Sequence, residues 1–371
     1  MDRRRFTLNA VQSLALSFAC LILLGALLLM LPWASRDRGS LPFLDALFTS
    51  ASASCVTGLV LYDTWTQFTL FGQAVILVLI QIGGLSFMTV SALVSIFLGR
   101  RIGLHQRSIL MDSVGALQMG GVVRLTRRAL KVTVACESLG AAALLVWFCP
   151  RYGLRGFLVW DDILTHGTHF SRWRLHSKIT LTGTLLVFFL SAGAFYILEG
   201  DHAFAGASAG DQLLMAAFQA VTPRTAGFNT VDLRSLSASG TLLTMVLMFI
   251  GAGSGSTGGG IKVNTFAVLV LSALARVRRR EDVDLFGRRL DEEDIHKAFS
   301  SVSMYFMVCI AGCMVLCLQG IALDDALFES ISAMGTVGLT RGITATLPAF
   351  SKITVTLMMF AGRVGSMSVA M

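Results

Sequence analysis

Three short strings in this 371-residue chain offer one shared chemistry: Val56-Thr57-Gly58, Thr225-Ala226-Gly227 and Thr336-Val337-Gly338. None brings a nucleophile or an acid–base pair. What they bring is main-chain carbonyl oxygen. A cation stripped of its water needs oxygen ligands, and a ring of backbone carbonyls supplies them. Aiming successive carbonyls the same way requires unusual backbone angles, which glycine permits. One such string is weak evidence. Three in the same register would be strong.

The register comes from an internal repeat. Asp45–Leu59 reads DALFTSASASCVTGL and Asp325–Leu339 reads DALFESISAMGTVGL. Nine of these fifteen positions are identical without a gap, so the two are copies of one unit. Asp211–Phe228 is a looser third copy. Each copy lies between two apolar runs, is too short to cross a bilayer, and must return to the side it came from. The predicted form is re-entrant: a half-helix dipping in, then an extended strand coming back. The half-helix aims its negative C-terminal end at a cation. Irregular backbone at membrane depth is allowed only where it is buried in protein or lines a watery cavity. Plain external loops would need neither the repetition nor the glycines. Thr336-Val337-Gly338 has the composition of a potassium-channel filter strand.

The elements that must position these strings are membrane spans. The chain is 54% hydrophobic and only 14% charged, against roughly 25% charge in soluble domains. The apolar runs are Val11–Leu31, Thr69–Leu98, Val132–Cys149, Ile179–Leu198, Leu236–Ala275, Ala298–Ala322 and Ile353–Met371. Each approaches or exceeds the ~20 residues a spanning helix needs. Basic blocks assign the sides. Arg3–Arg5, Arg100–Lys131, Arg172–Lys178 and Arg276–Arg289 go inside, and the stretch with Glu199, Asp201 and Asp211 goes outside. The net charge of +8 resides in those blocks, which argues for cytoplasmic loops and against nucleic acid. The first run reads as a retained helix that also serves as signal anchor. Cys309, Cys313 and Cys317 share a helical face in an apolar run, where they read as small buried hydrophobes.

Charge parity fails once. Val132–Cys149 ends outside and Ile179 starts inside, yet only Gly156–Leu164 between them is apolar. Nine helical residues reach about 14 Å, half the hydrocarbon core. A spanning segment is expected to be missing near Arg155–Phe157.

A second break sits in Leu236–Ala275. Gly251, Ala252, Gly253, Ser254, Gly255, Ser256, Thr257, Gly258, Gly259 and Gly260 hold six glycines in ten residues. At about 1 kcal/mol per glycine, helix cannot persist there. The predicted element is a mobile intramembrane loop under the strands, a gate. Arg363 is the one charge of the last run, placed as an electrostatic barrier or a gate anchor. Lys262, just after the glycines, has the same reading. Arg276–Lys297 and Arg100–Lys131 are candidate docking surfaces on the cytosolic side.

With TPRTAGFNTVD and GGGIKVNT in place, the chain resembles the KtrB/TrkH superfamily of bacterial potassium transporters, closest to KtrB. The resemblance implies an all-α polytopic membrane protein with four helix–pore loop–helix repeats around one pseudo-fourfold pore. It implies a homodimer working with a cytosolic KtrA-type nucleotide-binding ring, so that ATP or ADP acts only through the partner. It implies K+ as substrate and Na+ as activator, in the bacterial cytoplasmic membrane with the N-terminus inside. Carried over by position, the ion-binding filter residues are Cys55, Val56, Thr57 and Gly58, then Thr225, Ala226, Gly227 and Phe228, then Gly335, Thr336, Val337 and Gly338. The repeats run 1–110, 111–178, 179–290 and 291–371. The second departs from the pattern: its pore loop is absent, the same hole that parity finds. The last helix reads as clipped after GRVGSMSVAM. An enzyme is not expected, because all six histidines fall outside the clear spans and no P-loop is present. The alternatives are a cation-coupled potassium carrier, or a non-conducting incomplete pore subunit.

Overall fold

The computed structural model describes residues 10–37, 39–85, 175–253, 258–279, 284–285, 288–289 and 292–368. The expected span Val132–Cys149, the break near Arg155–Phe157 and the loop residues Ser254, Gly255, Ser256 and Thr257 lie outside them.

Among the described residues the regular structure is helical apart from two isolated bridges and one hairpin of two-residue strands, Asp284–Leu285 with Arg288–Arg289. Its helices are α1 (Ala10–Leu29), α2 (Phe43–Ser54), α3 (Thr64–Gln67), α4 (Leu70–Leu85), α5 (Leu175–Glu199), α6 (Ala209–Val221), α7 (Ala238–Phe249), α8 (Val263–Val277), α9 (Glu292–Leu318), α10 (Leu323–Gly335) and α11 (Ala349–Ser368). The apolar surface is turned outward. In α1, Phe18, Ile22, Ala26 and Leu29 are buried on one face, while Leu16, Leu23, Leu24 and Leu27 are exposed on the other. Leu186, Phe189 and Leu190 of α5 and Phe306, Met307 and Met314 of α9 are exposed as well. Such continuous exposed hydrocarbon fits a bilayer, not water. Ser177–Glu199 and Ile295–Leu318 are long and apolar enough to cross one.

The three short helices predicted to dip in are α2, α6 and α10. Small residues let them pack deep: Ser50–Ser54 of α2 and Phe328–Gly335 of α10 are buried. Each packs against the helix before it, α1, α5 and α9 respectively. The inner helices set the order of the repeats. α7, from the third repeat, packs on α10 of the fourth, and α11, from the fourth, packs on α2 of the first. The predicted break in Leu236–Ala275 is present: α7 stops at Phe249, Ile250 pairs with Ile261 in a parallel bridge, and α8 restarts at Val263. Cys309 and Cys313 are buried in the main hydrophobic cluster and Cys317 packs on its edge, as expected of small hydrophobes.

Two glycines missed in the sequence seat the dipping helices. A Cβ on Gly83 of α4 would collide with the carbonyl oxygen of Ser54 at the end of α2. One on Gly362 of α11 would collide with the carbonyl oxygen of Met334 at the end of α10. Ser54 and Met334 occupy the same place in the repeat. Gly83→Ala should therefore destabilise the protein by about 1–3 kcal/mol through overpacking. Gly193→Ala, with nothing within 4 Å of the new methyl, should be neutral or stabilising. Thermal denaturation of the two variants in detergent checks this.

Candidate functional site

The three strings leave their helices with one backbone signature. Val56 has φ 56° and Gly58 has φ 94°; Thr225 has 70° and Gly227 has 74°; Thr336 has 49° and Gly338 has 91°. The middle residues Thr57, Ala226 and Val337 are not left-handed. Backbone that alternates hand in this way turns successive carbonyls toward one side. A β-branched residue at positive φ is uncommon and costs on the order of 1–3 kcal/mol. Of the four non-glycine residues at positive φ among the described residues, three are these, each two places before the glycine of its string.

Each dipping helix tethers its string. The Thr57 N–H donates to Ser52 O at 2.8 Å, and Val337 N–H donates to Ser332 O at 2.9 Å, at matching places in the repeat. Ala226 and Gly227 donate to Thr222 O at 3.1 and 3.2 Å. Side chains finish the work differently in each repeat. The Ser52 hydroxyl donates to Leu59 O at 2.6 Å and accepts from Gly58 N–H at 3.2 Å. The Thr222 hydroxyl donates to Phe228 O. Behind the fourth string, fully buried Glu329 accepts from the Thr340 hydroxyl at 2.9 Å and from the Thr344 hydroxyl.

The strings converge. A Cβ on Gly338 would collide with Thr57 O and lie 3.1 Å from the Gly58 Cα; one on Gly227 would collide with Val337 O. The fourth string thus lies directly beside both the first and the third, and glycine is required where they meet. Cys55, Val337 and Gly335 are buried behind this contact, while Phe228 is largely exposed at its edge.

On the side away from the helix N-termini lies the glycine-rich loop. A Cβ on Gly258 would lie 2.5 Å from the Thr225 hydroxyl oxygen, and one on Gly259 would collide with that of Thr336. The Gly259 N–H donates to the Thr336 hydroxyl at 2.8 Å. Gly251 meets Gly259 and Gly260 across the foot of the loop, Ala252 O accepts from Val263 N–H at 3.3 Å, and Gly253 abuts Thr180. The Lys262 ammonium donates to Gly258 O. Arg363 is buried, with its guanidinium on Gly83 O of α4 and 5.9 Å from the Phe18 ring. Its head therefore does not snorkel out along α11.

At the other mouth, carboxylates sit at the positive N-terminal ends of the dipping helices. Asp45 pairs with Lys352 of α11 at 2.6 Å and accepts from the Tyr62 hydroxyl at 2.6 Å, which pushes the Tyr62 phenol up to about 12. Asp324 and Asp325 pair with Arg341 at 2.6 and 3.0 Å, and the guanidinium holds Asp324 below its usual range. Glu199, counted in the sequence as a charge of an outside loop, is fully buried. It accepts from the Ser237 hydroxyl at 2.6 Å and pins the start of α7. Nothing in its local sequence announces that role. No group of three or more His, Cys, Asp or Glu side chains that could hold a metal is found among the described residues.

A family profile for TrkH, described as a cation transport protein, matches residues 7–172 and 168–371. The chain belongs to the TrkH family. This TrkH-family chain is 36% identical to the Ktr system potassium uptake protein B of Bacillus subtilis, over 96% of its own length and 91% of that protein. It is 32% identical to the potassium/sodium uptake protein NtpJ of Enterococcus hirae, over 99% and 93% respectively. Its fold matches the potassium transporter TrkH of Vibrio parahaemolyticus with a TM-score of 0.68 at 17% identity, covering 98% of this chain and 85% of that one. The alignment with the Bacillus protein is 407 positions long, so at least 36 of them (407 less 371) face a gap in this chain. The two profile matches meet at residues 168–172, shortly after the place where parity fails.

Replacing Glu329 by Ala would strand the Thr340 and Thr344 hydroxyls behind the fourth string. We expect a loss of about 1–3 kcal/mol in thermal unfolding, and a smaller loss for Glu329→Gln, which keeps an acceptor.

Proposed function

We propose that this chain is the pore-forming subunit of a Ktr-type potassium uptake system in the bacterial cytoplasmic membrane, with its N-terminus inside. Potassium sheds water onto the carbonyls of Cys55–Gly58, Thr225–Phe228 and Gly335–Gly338 and passes between them. The supporting observation is the shared backbone hand of the three strings, left-handed at the first residue and again at the glycine. The loop whose described ends are Gly251–Gly253 and Gly258–Gly260 gates the path, with Arg363 and Lys262 as the cations that hold the inner end. Opening follows a cytosolic nucleotide-binding ring of KtrA type, docked on the basic loops of a homodimer, so ATP or ADP acts only through that partner. Sodium acts as activator; the name of the Enterococcus relative, a potassium/sodium uptake protein, is consistent with that.

A second reading has its own support. The alignment gap and the divided profile match both fit a second repeat without its pore loop. A pore with three of its four strands is then a non-conducting version of the subunit.

Rubidium uptake in cells lacking their own potassium systems tests both. We expect uptake by this chain, abolished by Gly338→Asp, which puts a carboxylate where the strings meet. No uptake from a chain that is folded and inserted would favour the second reading.

A further inference from the structure

Two segments frame the first string: the one that leads into α2 and the one that returns from the string to α4. They are zipped together at one face of the membrane. Ser35 and Phe68 form an antiparallel bridge, the Arg36 N–H donates to Gln67 O at 2.9 Å, and the Thr69 N–H donates to Ala34 O at 3.0 Å. Ala34, Ser35 and Phe68 are buried beneath, so the zip makes a firm shelf. Its outer surface carries two kinds of group. Trp33 is 78% exposed and Trp65 is 69% exposed, where α1 ends and α4 begins. Exposed hydrocarbon continues down both helices, with Leu24 and Leu27 on α1 and Leu70 and Val78 on α4. Indole rings at the end of a lipid-facing surface mark the headgroup level of a bilayer. Charged groups stand beside these rings. The Arg36 guanidinium lies 5.3 Å from the Trp65 ring centroid, and its Nε donates to Phe68 O at 3.2 Å. Its terminal nitrogens have no partner among the described residues. Asp63 caps α3 through Oδ1, which accepts from the Trp65 and Thr66 N–H groups, and its Oδ2 has no partner among the described residues. The Thr66 N–H holds Asp63 below its usual range, so it stays ionised. Asp37 accepts from the Gln67 amide at 3.5 Å. Among the described residues, neither carboxylate pairs with Arg36. A cation with open donors and two carboxylates with open acceptors thus share one shelf at headgroup depth.

We propose that this shelf binds a zwitterionic phospholipid of the phosphatidylethanolamine class: Arg36 takes the phosphate, Asp37 and Asp63 take the ammonium, and the acyl chains lie along α1 and α4. Guanidinium and phosphate match in charge and in paired N–H donors. The Trp65 ring holds the guanidinium in place through its face. An anionic headgroup without an ammonium sets its charge against the two carboxylates, so the shelf selects against it. A second copy of the chain laid over this face would bury the guanidinium and both carboxylates at a desolvation cost, whereas a headgroup leaves them wet. The shelf is built from the entry and the exit of the first pore loop, so the lipid fastens the two ends of that loop from outside the protein. The inference needs the chain to sit in a bilayer and does not need it to conduct.

Native mass spectrometry of the purified full chain, taken from micelles holding equal phosphatidylethanolamine and phosphatidylglycerol, tests it. We expect phosphatidylethanolamine to be retained over phosphatidylglycerol. Arg36→Gln should weaken that retention by about three- to tenfold, the factor expected for one net hydrogen bond. Arg36→Lys, which keeps a cation, should recover part of it. Asp37→Asn combined with Asp63→Asn should raise phosphatidylglycerol retention and erase the preference. Asparagine caps a helix as well as aspartate does, so α3 is preserved in that variant. Equal retention of the two lipids by the unaltered chain overturns the site, and so does a preference that Arg36→Gln leaves unchanged. A preference that survives the double asparagine variant overturns the ammonium contact. Displacement of the lipid by an equal concentration of glycerophosphoethanolamine, which has no acyl chains, overturns the assignment to a lipid. Cross-linking of two chains through Trp65→Cys in membranes, beyond that of the unaltered chain, gives the face to a second copy and overturns the proposal.

Discussion

Backbone that leaves the helix at membrane depth has no water to turn to, and each unpaired N–H or C=O there costs several kcal/mol. Most of the site's architecture answers that constraint. A string that presents carbonyls toward a cation cannot also use them in a ladder, so its N–H groups must be satisfied from behind. The dipping helices do this with their own last free carbonyls, Ser52 O, Thr222 O and Ser332 O. Those helices must therefore end at the strings, be buried to their tips, and approach the inner helices closely. The glycines Gly83 and Gly362 allow the last of these.

The backbone solution is shared among the repeats, but the side-chain solution is not. A serine, a threonine and a glutamate with two threonines each stabilise one string. The fourth is the most elaborate, and it is also the string that touches both neighbours and the loop. Its buried carboxylate ties the returning segment to α10 through the Thr340 and Thr344 hydroxyls, at the place with the most contacts to maintain. Duplicated segments drift apart in this way when the geometry is fixed by main chain and the packing is left to side chains.

Much of this was legible in the sequence because it is local. Re-entrance followed from repeat length and charge sides, the string register from an ungapped repeat, and the break in the long apolar run from glycine's poor helix propensity. The residues that stayed hidden act through partners far along the chain. Glu199 reads as a loop charge until Ser237 is placed against it, and Gly83 reads as an ordinary helix glycine until Ser54 arrives. Arg363 was conspicuous as a lone charge, but its seat on Gly83 O, 280 residues away, follows only once α11 packs against the helices at the start of the chain.

The packing of the last helix on the first short one bears on how the protein is made. The ion pair between Asp45 and Lys352 joins residues 307 apart and fastens the first dipping helix to the last inner one. During synthesis the first repeat enters the bilayer with its aspartate unpaired and one flank of its dipping helix bare. Tyr62 can already donate to that aspartate, but among the described residues the cation that pairs with it arrives only with α11. The first short helix is therefore among the earliest-made elements and among the last to reach its final surroundings.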